Sequence, residues 1–185
     1  MASRLASLAV VCANLQDPHN AAAIVRTCEA LGILEVYVIE EDHPFLPSPR
    51  VTQGAEKWVR LRRFRRAEPA LLELRDRGFR IFAAMPVGKM PVEELPVDGP
   101  LALVFGNETE GVGPQILAHC DGTFRIPMWG FSQSLNVSVA AGISLYLAAR
   151  SRRQARGQDG DLSPMEQEAL LAEYMARQEH KERGG

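Results

Sequence analysis

Short apolar runs alternate along this chain with longer segments in which apolar residues recur every three to four positions. The short runs predict buried β-strands at residues 8–13, 35–39, 57–61, 79–84, 101–105 and 123–126. The longer segments predict helices at residues 20–31, 68–77 and 135–150, and a further short helix beginning at Pro114. This alternation predicts an α/β fold with a parallel central sheet flanked by helices.

Several boundaries are marked by residues that favour helix ends or loops. Asp17 and Pro18 predict an N-cap and a first-turn proline for the first helix, which Gly32 can end. Residues 86–100 contain four prolines and two glycines, which predicts a loop.

The last part of the chain has a different character. Residues 151–163 are charged and contain glycines, which predicts a linker, and Ser163 with Glu166 forms a capping box that opens a helix over residues 164–181. This helix carries an imperfect apolar stripe, which predicts docking on the core or on a second subunit, with a solvated, frayed tail as the alternative. The stripe consists of Met165, Ala169, Ala172, Tyr174 and Met175. We therefore expect a domain at residues 1–150, followed by a linker and helix at residues 151–185.

Composition narrows the class of protein but not its partner. With 46% hydrophobic residues and a net charge of −2, the chain is typical of one globular domain, so any nucleic-acid site has to rest on local charge clusters. No apolar run reaches the roughly 18 residues of a membrane span. Residues 1–13 resemble a short secretory signal, but we interpret residues 9–13 as part of the first buried strand.

Cysteine and histidine usage indicates neither disulfides nor a metal. The three cysteines include no close pair, and we interpret them as buried hydrophobic residues in a reducing, cytoplasmic compartment. The four histidines lack the spacing of metal ligands.

Two loops carry candidate chemistry, because parallel sheets bind ligands at the carboxyl ends of their strands. Residues 106–113 combine three glycines with Glu108 and Glu110, and match neither a dinucleotide fingerprint nor a phosphate loop. The two carboxylates suit a cationic or hydroxyl-rich ligand; a solvent-exposed turn is the alternative. Residues 127–136 form a polar segment before an apolar helix, which Ser132 or Ser134 could simply cap.

Two further polar side chains have apolar neighbours. Asn136 lies in the first turn of an apolar helix, where its amide needs hydrogen-bond partners if buried. Arg26 follows Ile24 and Val25, so its guanidinium is directed either to the surface or into a site.

Positive side chains cluster in two places. Residues 57–66 contain six positive side chains and no acid, with Trp58 and Phe64 among them. The positive residues are Lys57, Arg60, Arg62, Arg63, Arg65 and Arg66. Such a segment is typical of an RNA phosphate track with aromatic rings for stacking, and a solvated basic face is the alternative. A second, weaker cluster contains Arg150, Arg152, Arg153 and Arg156.

Taken together and in order, three segments resemble the motifs of the SpoU family of the SPOUT methyltransferases, and within it the TrmH-like tRNA guanosine 2'-O-methyltransferases. The first runs from Asp17-Pro18-His19-Asn20 through Arg26 to Gly32. The second runs from Val104 through Gly106-Asn107-Glu108 to Val112, and the third from Ile126-Pro127-Met128 through Ser134-Leu135-Asn136 to Ala140.

This resemblance implies a fold, a cofactor and an assembly. Family members fold as a parallel α/β sheet with a deep C-terminal trefoil knot, and they act as homodimers. S-adenosyl-L-methionine lies in the knot, and the positions that match its contacts here are Met85, Gly106, Ile126, Met128, Ser134, Leu135 and Asn136.

The resemblance also implies methyl transfer to an RNA ribose 2'-hydroxyl. Arg26 matches the family's catalytic arginine, which acts with an RNA phosphate at the cofactor of the other subunit. We expect an electrostatic and orienting role, because an arginine keeps its proton at neutral pH. Asn20 is expected to position Arg26 or the ribose, Glu108 to brace the site, and Ser134 and Asn136 to fix the donor.

The expected substrate is tRNA, at a D-loop guanosine. The same chemistry on ribosomal RNA or on the tRNA wobble nucleotide is one alternative, and a catalytically silent RNA-binding or assembly module is another. TrmH-like enzymes carry a basic N-terminal extension, whereas this chain begins a few residues before its first predicted strand. We therefore expect the basic clusters and the terminal helix to capture the RNA.

Overall fold

The computed structural model describes the backbone of residues 1–183 and the side chains of residues 1–178. Its strands are β1 (Leu5–Ala13), β2 (Ile33–Ile39), β3 (Arg60–Phe64), β4 (Arg80–Ala84), β5 (Met90–Pro91), β6 (Leu101–Phe105) and β7 (Gly122–Arg125). Its α-helices are α1 (Pro18–Ala30), α2 (Pro49–Thr52), α3 (Ala67–Asp76), α4 (Pro114–Leu117), α5 (Val137–Arg156) and α6 (Pro164–Arg183). Short 3-10 helices lie at Ala55–Trp58 and Val92–Glu94.

The strands form one sheet in the order β3-β2-β1-β6-β4-β7-β5, and each neighbouring pair is parallel. The predicted parallel α/β fold is therefore confirmed. Nearly all residues of β1, β2 and β6 are buried, because helices cover both faces, and this explains their continuous apolar sequences. All carboxyl ends of the strands face the same edge of the sheet.

Two apolar layers flank the sheet. α1 and α5 pack on one face through residues such as Ile24 and Leu145. α3 and α4 pack on the other through Leu71 and Ile116. Successive β1 residues alternate between the two layers, as the two-residue period of a strand requires.

The ends of α1 follow the sequence prediction. Asp17 caps the helix by accepting a hydrogen bond from the backbone N–H of His19 at 2.8 Å, and Pro18 lies in the first turn. Just beyond the helix, Gly32 adopts φ of +77°, and a Cβ there would lie 2.6 Å from the carbonyl oxygen of Ser3. A glycine is therefore required at this turn.

Several elements differ from their predicted bounds. β1 and β2 begin at Leu5 and Ile33 rather than at residues 8 and 35. β3 begins at Arg60 rather than at residue 57, because Ala55–Trp58 form a 3-10 helix. α5 continues to Arg156, since residues 151–156 favour helix and the first glycine comes at Gly157, which ends the helix with φ of +63°. The predicted loop at 86–100 contains β5, which pairs with β7. The division of the chain at residue 150 stays a prediction.

α6 packs on the core of its own chain. Leu170 and Tyr174 form an apolar cluster with Leu34, and Trp58 packs against it. The predicted capping box is present, with the Ser163 hydroxyl donating to Glu166 at 2.6 Å. The prediction that the helix docks is confirmed, but of its predicted apolar stripe only Tyr174 is buried, while Met165 and Met175 are exposed. The helix continues to Arg183 rather than ending near residue 181. Across residues 1–183, no helix combines the length and apolar character needed to cross a membrane.

Buried polar contacts fix the turn between α5 and α6. Arg152 is fully buried, and its Nε lies 3.5 Å from Asp161 Oδ2 and donates to Ser7 Oγ at 2.9 Å. Arg152 Nη1 donates to the carbonyl oxygens of Val97 and Gly99 at 3.0 and 2.6 Å. We call Arg152, Asp161 and Ser7 the C-terminal clamp; it lies at the amino ends of the strands.

Candidate active site

A cavity of about 540 Å³ opens at the carboxyl ends of β4, β6 and β7. The loops after β6 and β7 are the two in which the sequence predicts candidate chemistry, and Met85 after β4 is one of the positions that match donor contacts. The cavity has the size of clefts that hold small molecules and cofactors. Its lining combines apolar side chains from the strand ends with polar ones from the second and third motifs.

The structure brings all the predicted donor-binding residues to this cavity. Three chain segments contribute them, and the residues are Met85, Gly106, Ile126, Met128, Ser134, Leu135 and Asn136. Contact between these residues and a donor molecule stays a prediction.

The second-motif loop is closed by its own backbone. The N–H and carbonyl of Asn107 pair with those of Gly111 at 3.0 and 2.9 Å. A Cβ on Gly106 would lie 2.1 Å from the Gly111 carbonyl oxygen, so this closed loop requires glycine at 106. Glu108 and Glu110 are exposed, as a surface turn would have them, but both also line the cavity.

Hydrogen bonds connect the three motifs across the cavity. Asn136 Nδ2 donates to Asn20 Oδ1 at 3.0 Å, and Asn20 Nδ2 donates to Glu108 Oε1 at 3.0 Å. Asn20 is buried, and buried polar groups need hydrogen-bond partners. Its side-chain N–H and carbonyl groups find them 88 and 116 residues away in sequence. We call Glu108, Asn20 and Asn136 the motif network.

Glu108 is held as a carboxylate. It accepts hydrogen bonds from the backbone N–H groups of Gln16 and Asp17 at 3.0 and 3.2 Å, besides the one from Asn20. Burial by itself raises the pKa of Glu108, but these donors outweigh that effect and leave its pKa below the ordinary value. Glu108 therefore fixes the start of α1 relative to the second motif.

Asn136, rather than Ser132 or Ser134, caps α5. Its Oδ1 accepts from the backbone N–H groups of Ser138 and Val139 at 2.8 and 3.3 Å. The interpretation of a serine cap is wrong because the helix begins at Val137, after both serines. The Oδ1 of Asn136 thus caps the helix, while its Nδ2 belongs to the motif network.

Asn14 belongs to this site, although sequence reasoning passed over it. It follows β1 with φ of +53°, its carbonyl accepts from Asn107 Nδ2 at 2.9 Å, and its Oδ1 accepts from the backbone N–H groups of Glu41 and Asp42. An asparagine directly after a buried strand was the available signal, since asparagine tolerates the left-handed region.

Arg26 does not line the cavity of its own chain. It is exposed on α1, and its Nη1 donates to the carbonyl oxygen of Val51 at 3.4 Å. Of the two interpretations from sequence, the surface position is the one observed in a single chain.

Several of the predicted RNA-binding arginines are engaged in ion pairs. Arg60 pairs with Glu173 at 2.6 Å, Arg62 with Glu35 at 2.7 Å, and Arg63 with Glu40 at 2.7 Å. Arg153 donates to three backbone carbonyl oxygens, those of Ser3, Leu31 and Asp159. By contrast, the exposed side chains of Arg65, Arg66 and Arg150 make no ion pair within residues 1–178.

The thiols are not activated as nucleophiles. Burial raises the pKa of Cys12 to about 12 and that of Cys28 well above its ordinary value, and burial also raises the pKa of Cys120 to about 11. This agrees with their interpretation as small hydrophobic side chains.

Known proteins resemble the chain in sequence and in structure. Residues 7–146 match the SpoU rRNA methylase family. A Thermus thermophilus protein named tRNA (guanosine(18)-2'-O)-methyltransferase is 36% identical over 176 residues, which cover 94% of this chain and 91% of the relative.

Two crystal structures are similar over most of the fold. That of the A. aeolicus TrmH/SpoU tRNA modifying enzyme has a TM-score of 0.83 and 37% identity, covering 95% of this chain and 91% of that one. That of the Streptomyces viridochromogenes SpoU methyltransferase AviRb, in complex with AdoMet, has a TM-score of 0.73 and 26% identity, covering 82% of this chain and 59% of that one.

Proposed function

Because the chain belongs to the SpoU rRNA methylase family, we propose that it is an S-adenosyl-L-methionine-dependent tRNA ribose 2'-O-methyltransferase acting on the D-loop guanosine. The observation that carries this proposal is the motif network, which joins all three family motifs beside a cofactor-sized cavity. The relative that shares almost the whole chain is named for guanosine 18 of tRNA, which favours tRNA over ribosomal RNA.

The cavity suits this donor. Its apolar lining, including Ile126, Met128 and Leu135, offers a surface for an adenine ring, and Glu108 and Glu110 suit a sulfonium centre and ribose hydroxyls. Arg125 also lines the cavity, but its guanidinium already donates to the carbonyl oxygens of Gly88 and Lys89 at 2.7 and 3.1 Å. No other positive side chain competes with a cationic ligand in this lining.

When bound, S-adenosyl-L-methionine would supply an electrophilic methyl group to the ribose 2'-oxygen, with the sulfur leaving as a neutral thioether and the hydroxyl proton passing to water. Arg26, still charged at neutral pH, orients the hydroxyl and an RNA phosphate and stabilises negative charge on the attacking oxygen. Asn20 and Glu108 hold α1 at a fixed distance from the cavity, and Asn136 with Ser134 positions the donor end. Arg26 keeps its own proton, so the proton of the oriented hydroxyl passes to water and not to an arginine base.

The active form in this proposal is a homodimer. Arg26 is exposed and apart from its own cavity, so a site that uses it needs a second chain. α5 offers a surface for that chain, because Val139, Ile143 and Tyr146 are exposed apolar side chains spaced four and three residues apart on one helix face.

The proposed chain path includes the trefoil knot of the family. Support comes from the match of residues 7–146 to the SpoU rRNA methylase family. A cytoplasmic location goes with the proposal, since its tRNA substrate is there. RNA capture falls to Arg65, Arg66 and Arg150, which are exposed and make no ion pair within residues 1–178.

Methyl transfer is the direct test. The protein is incubated with S-adenosyl-L-methionine labelled in its methyl group and with a tRNA transcript, alongside the same transcript carrying 2'-deoxyguanosine at the target. We expect label on the first RNA only. Label on a wobble nucleotide or on ribosomal RNA would show that the substrate is that RNA and not the D-loop guanosine. No label on total RNA would favour the catalytically silent RNA-binding module.

Subunit mixing tests the shared site. Arg26→Ala lacks the arginine, and Gly106→Ala lacks a normal donor cavity because its Cβ meets the Gly111 carbonyl. Each variant is expected to be inactive alone, whereas mixed dimers contain one complete site and regain transfer. No recovery after subunit exchange would place Arg26 at its own cavity.

A further inference from the structure

Two aromatic rings lie in solvent beside the cavity. Trp129 is 93% exposed and Phe131 is fully exposed, whereas Tyr146, the next most exposed of the described phenylalanine, tyrosine and tryptophan side chains, is 52% exposed. Large apolar rings in water are unfavourable, and a pair of them at one place indicates a binding surface.

The loop that carries these rings is anchored only at its ends. Ile126 and Met128 on one side, and Ser134 and Leu135 on the other, line the donor cavity. Within the described chain no hydrogen bond involves residues 127–135, and a Cβ on Gly130, between the rings, would meet nothing within 4 Å. The rings are therefore free to adjust to a ligand that reaches the cavity mouth.

Resting on the proposed function, we propose that Trp129 and Phe131 form an aromatic rim that stacks on unpaired bases of the substrate RNA next to the methylated ribose. The ribose has to reach the donor in this cavity, so its own base and the adjacent base come within reach of the loop. Unstacked bases of RNA loops bind to aromatic faces. The aromatic rim would then bind bases, while Arg65, Arg66 and Arg150 bind phosphates.

The composition of the loop favours a base over a phosphate or a charged peptide. Residues 126–136 contain no charged side chain. A second copy of the chain is the other candidate occupant, but α5 already offers that copy a separate apolar face through Val139, Ile143 and Tyr146.

Fluorescence tests the contact without requiring activity. The chain has two tryptophans, so in a Trp58→Phe background all tryptophan emission comes from Trp129. Titration with the tRNA transcript, without donor, is expected to quench this emission along the binding curve measured by filter retention. Unchanged emission while the RNA is bound would overturn the proposal.

Kinetics tests the consequence. Trp129→Ala and Phe131→Ala are each expected to raise KM for RNA by about 5- to 100-fold, the loss of one stacked base, while donor affinity is kept. Trp129→Phe should recover most of the loss. Leu72→Ala, which removes an exposed side chain on α3 at the opposite sheet face, is the matched control.

Three outcomes would overturn the rim: an unchanged KM, impaired donor binding, or a shift of the variants from dimer to monomer in sedimentation. If the wild-type protein methylates no RNA, the proposed function fails by itself, and the fluorescence titration still decides whether Trp129 contacts RNA.

Discussion

The two ends of the sheet use clusters of polar side chains in different ways. At the carboxyl ends, the motif network joins Glu108, Asn20 and Asn136, and its two outer members remain exposed. At the amino ends, the C-terminal clamp seals the Arg152 and Asp161 side chains, which are 1% and 2% exposed. One cluster is open to a ligand, and the other is closed by the chain itself.

The difference separates groups that bind from groups that hold the fold. The exposed amide and carboxylate of the motif network are accessible to water, so a substrate can replace that water at these groups. In the clamp, burial lowers the pKa of Arg152, and Asp161 opposes that shift. Substitutions in the network are therefore expected to change catalysis, and those in the clamp to change stability.

The largest effect is expected in the clamp. Asp161→Ala leaves the Arg152 guanidinium buried without its carboxylate, and should lower the free energy of unfolding by about 3–5 kcal/mol. Urea denaturation measures it. The double variant Arg152→Met/Asp161→Leu should lose less, because no buried charge is left unpaired. A loss under about 1 kcal/mol for Asp161→Ala would show that the clamp does little for stability.

Arg26→Ala should reduce methyl transfer by roughly 100- to 1000-fold, about 2.7–4 kcal/mol, because it removes charge stabilisation at the attacking oxygen. Donor affinity and the unfolding transition should not change. Arg26→Lys keeps the charge without the planar fork and should retain part of the activity. Weaker donor binding by Arg26→Ala would contradict the assigned role.

The arginines of the basic clusters should likewise differ, with unpaired ones binding RNA and paired ones holding the fold. Replacing Arg65 and Arg66 together by alanine should reduce the slope of log affinity against log salt concentration by about 1–2 units, as two phosphate contacts are lost. Arg153→Ala should leave that slope unchanged, since Arg153 already binds backbone carbonyls near the clamp. Equal slopes for both variants would refute this division.

Asn136 allows its two roles to be separated. Asn136→Ala removes the cap of α5 and should cost about 1 kcal/mol of stability together with most of the transfer activity. Asn136→Asp keeps an acceptor for Ser138 and Val139 but loses the donor to Asn20, so stability should be kept while transfer falls. If both variants lose stability equally, the cap alone does not explain the effect.

The smallest effect concerns acid stability. The pKa of Glu108 is lower in the folded protein than its ordinary value of 4.5, so its carboxylate stabilises the fold above that pH and less as pH falls through the folded value. The difference in urea midpoint between wild type and Glu108→Gln should stay constant from about pH 7 to 5 and shrink on further acidification. A difference that grows in acid would contradict the lowered pKa of Glu108 in the folded protein.

Much of the fold was determined by local sequence. The apolar runs of β1, β2 and β6 predict buried parallel strands, and Asp17, Gly32 and the Ser163–Glu166 box mark helix ends, because periodicity and capping depend on neighbouring residues. The same holds for the two loops of the cavity, whose place after buried strands is visible in the sequence.

Tertiary structure alone decided which polar residues meet. The partners of Asn20 lie 88 and 116 residues away, and Asp161 meets Ser7 across 154 residues, so the order of strands sets these contacts. Arg60, Arg62, Arg63 and Arg153 look alike in sequence to Arg65 and Arg66, yet their charges are taken by acids and carbonyls of distant segments. Charge pattern predicts a basic surface; only packing decides which charges remain for RNA.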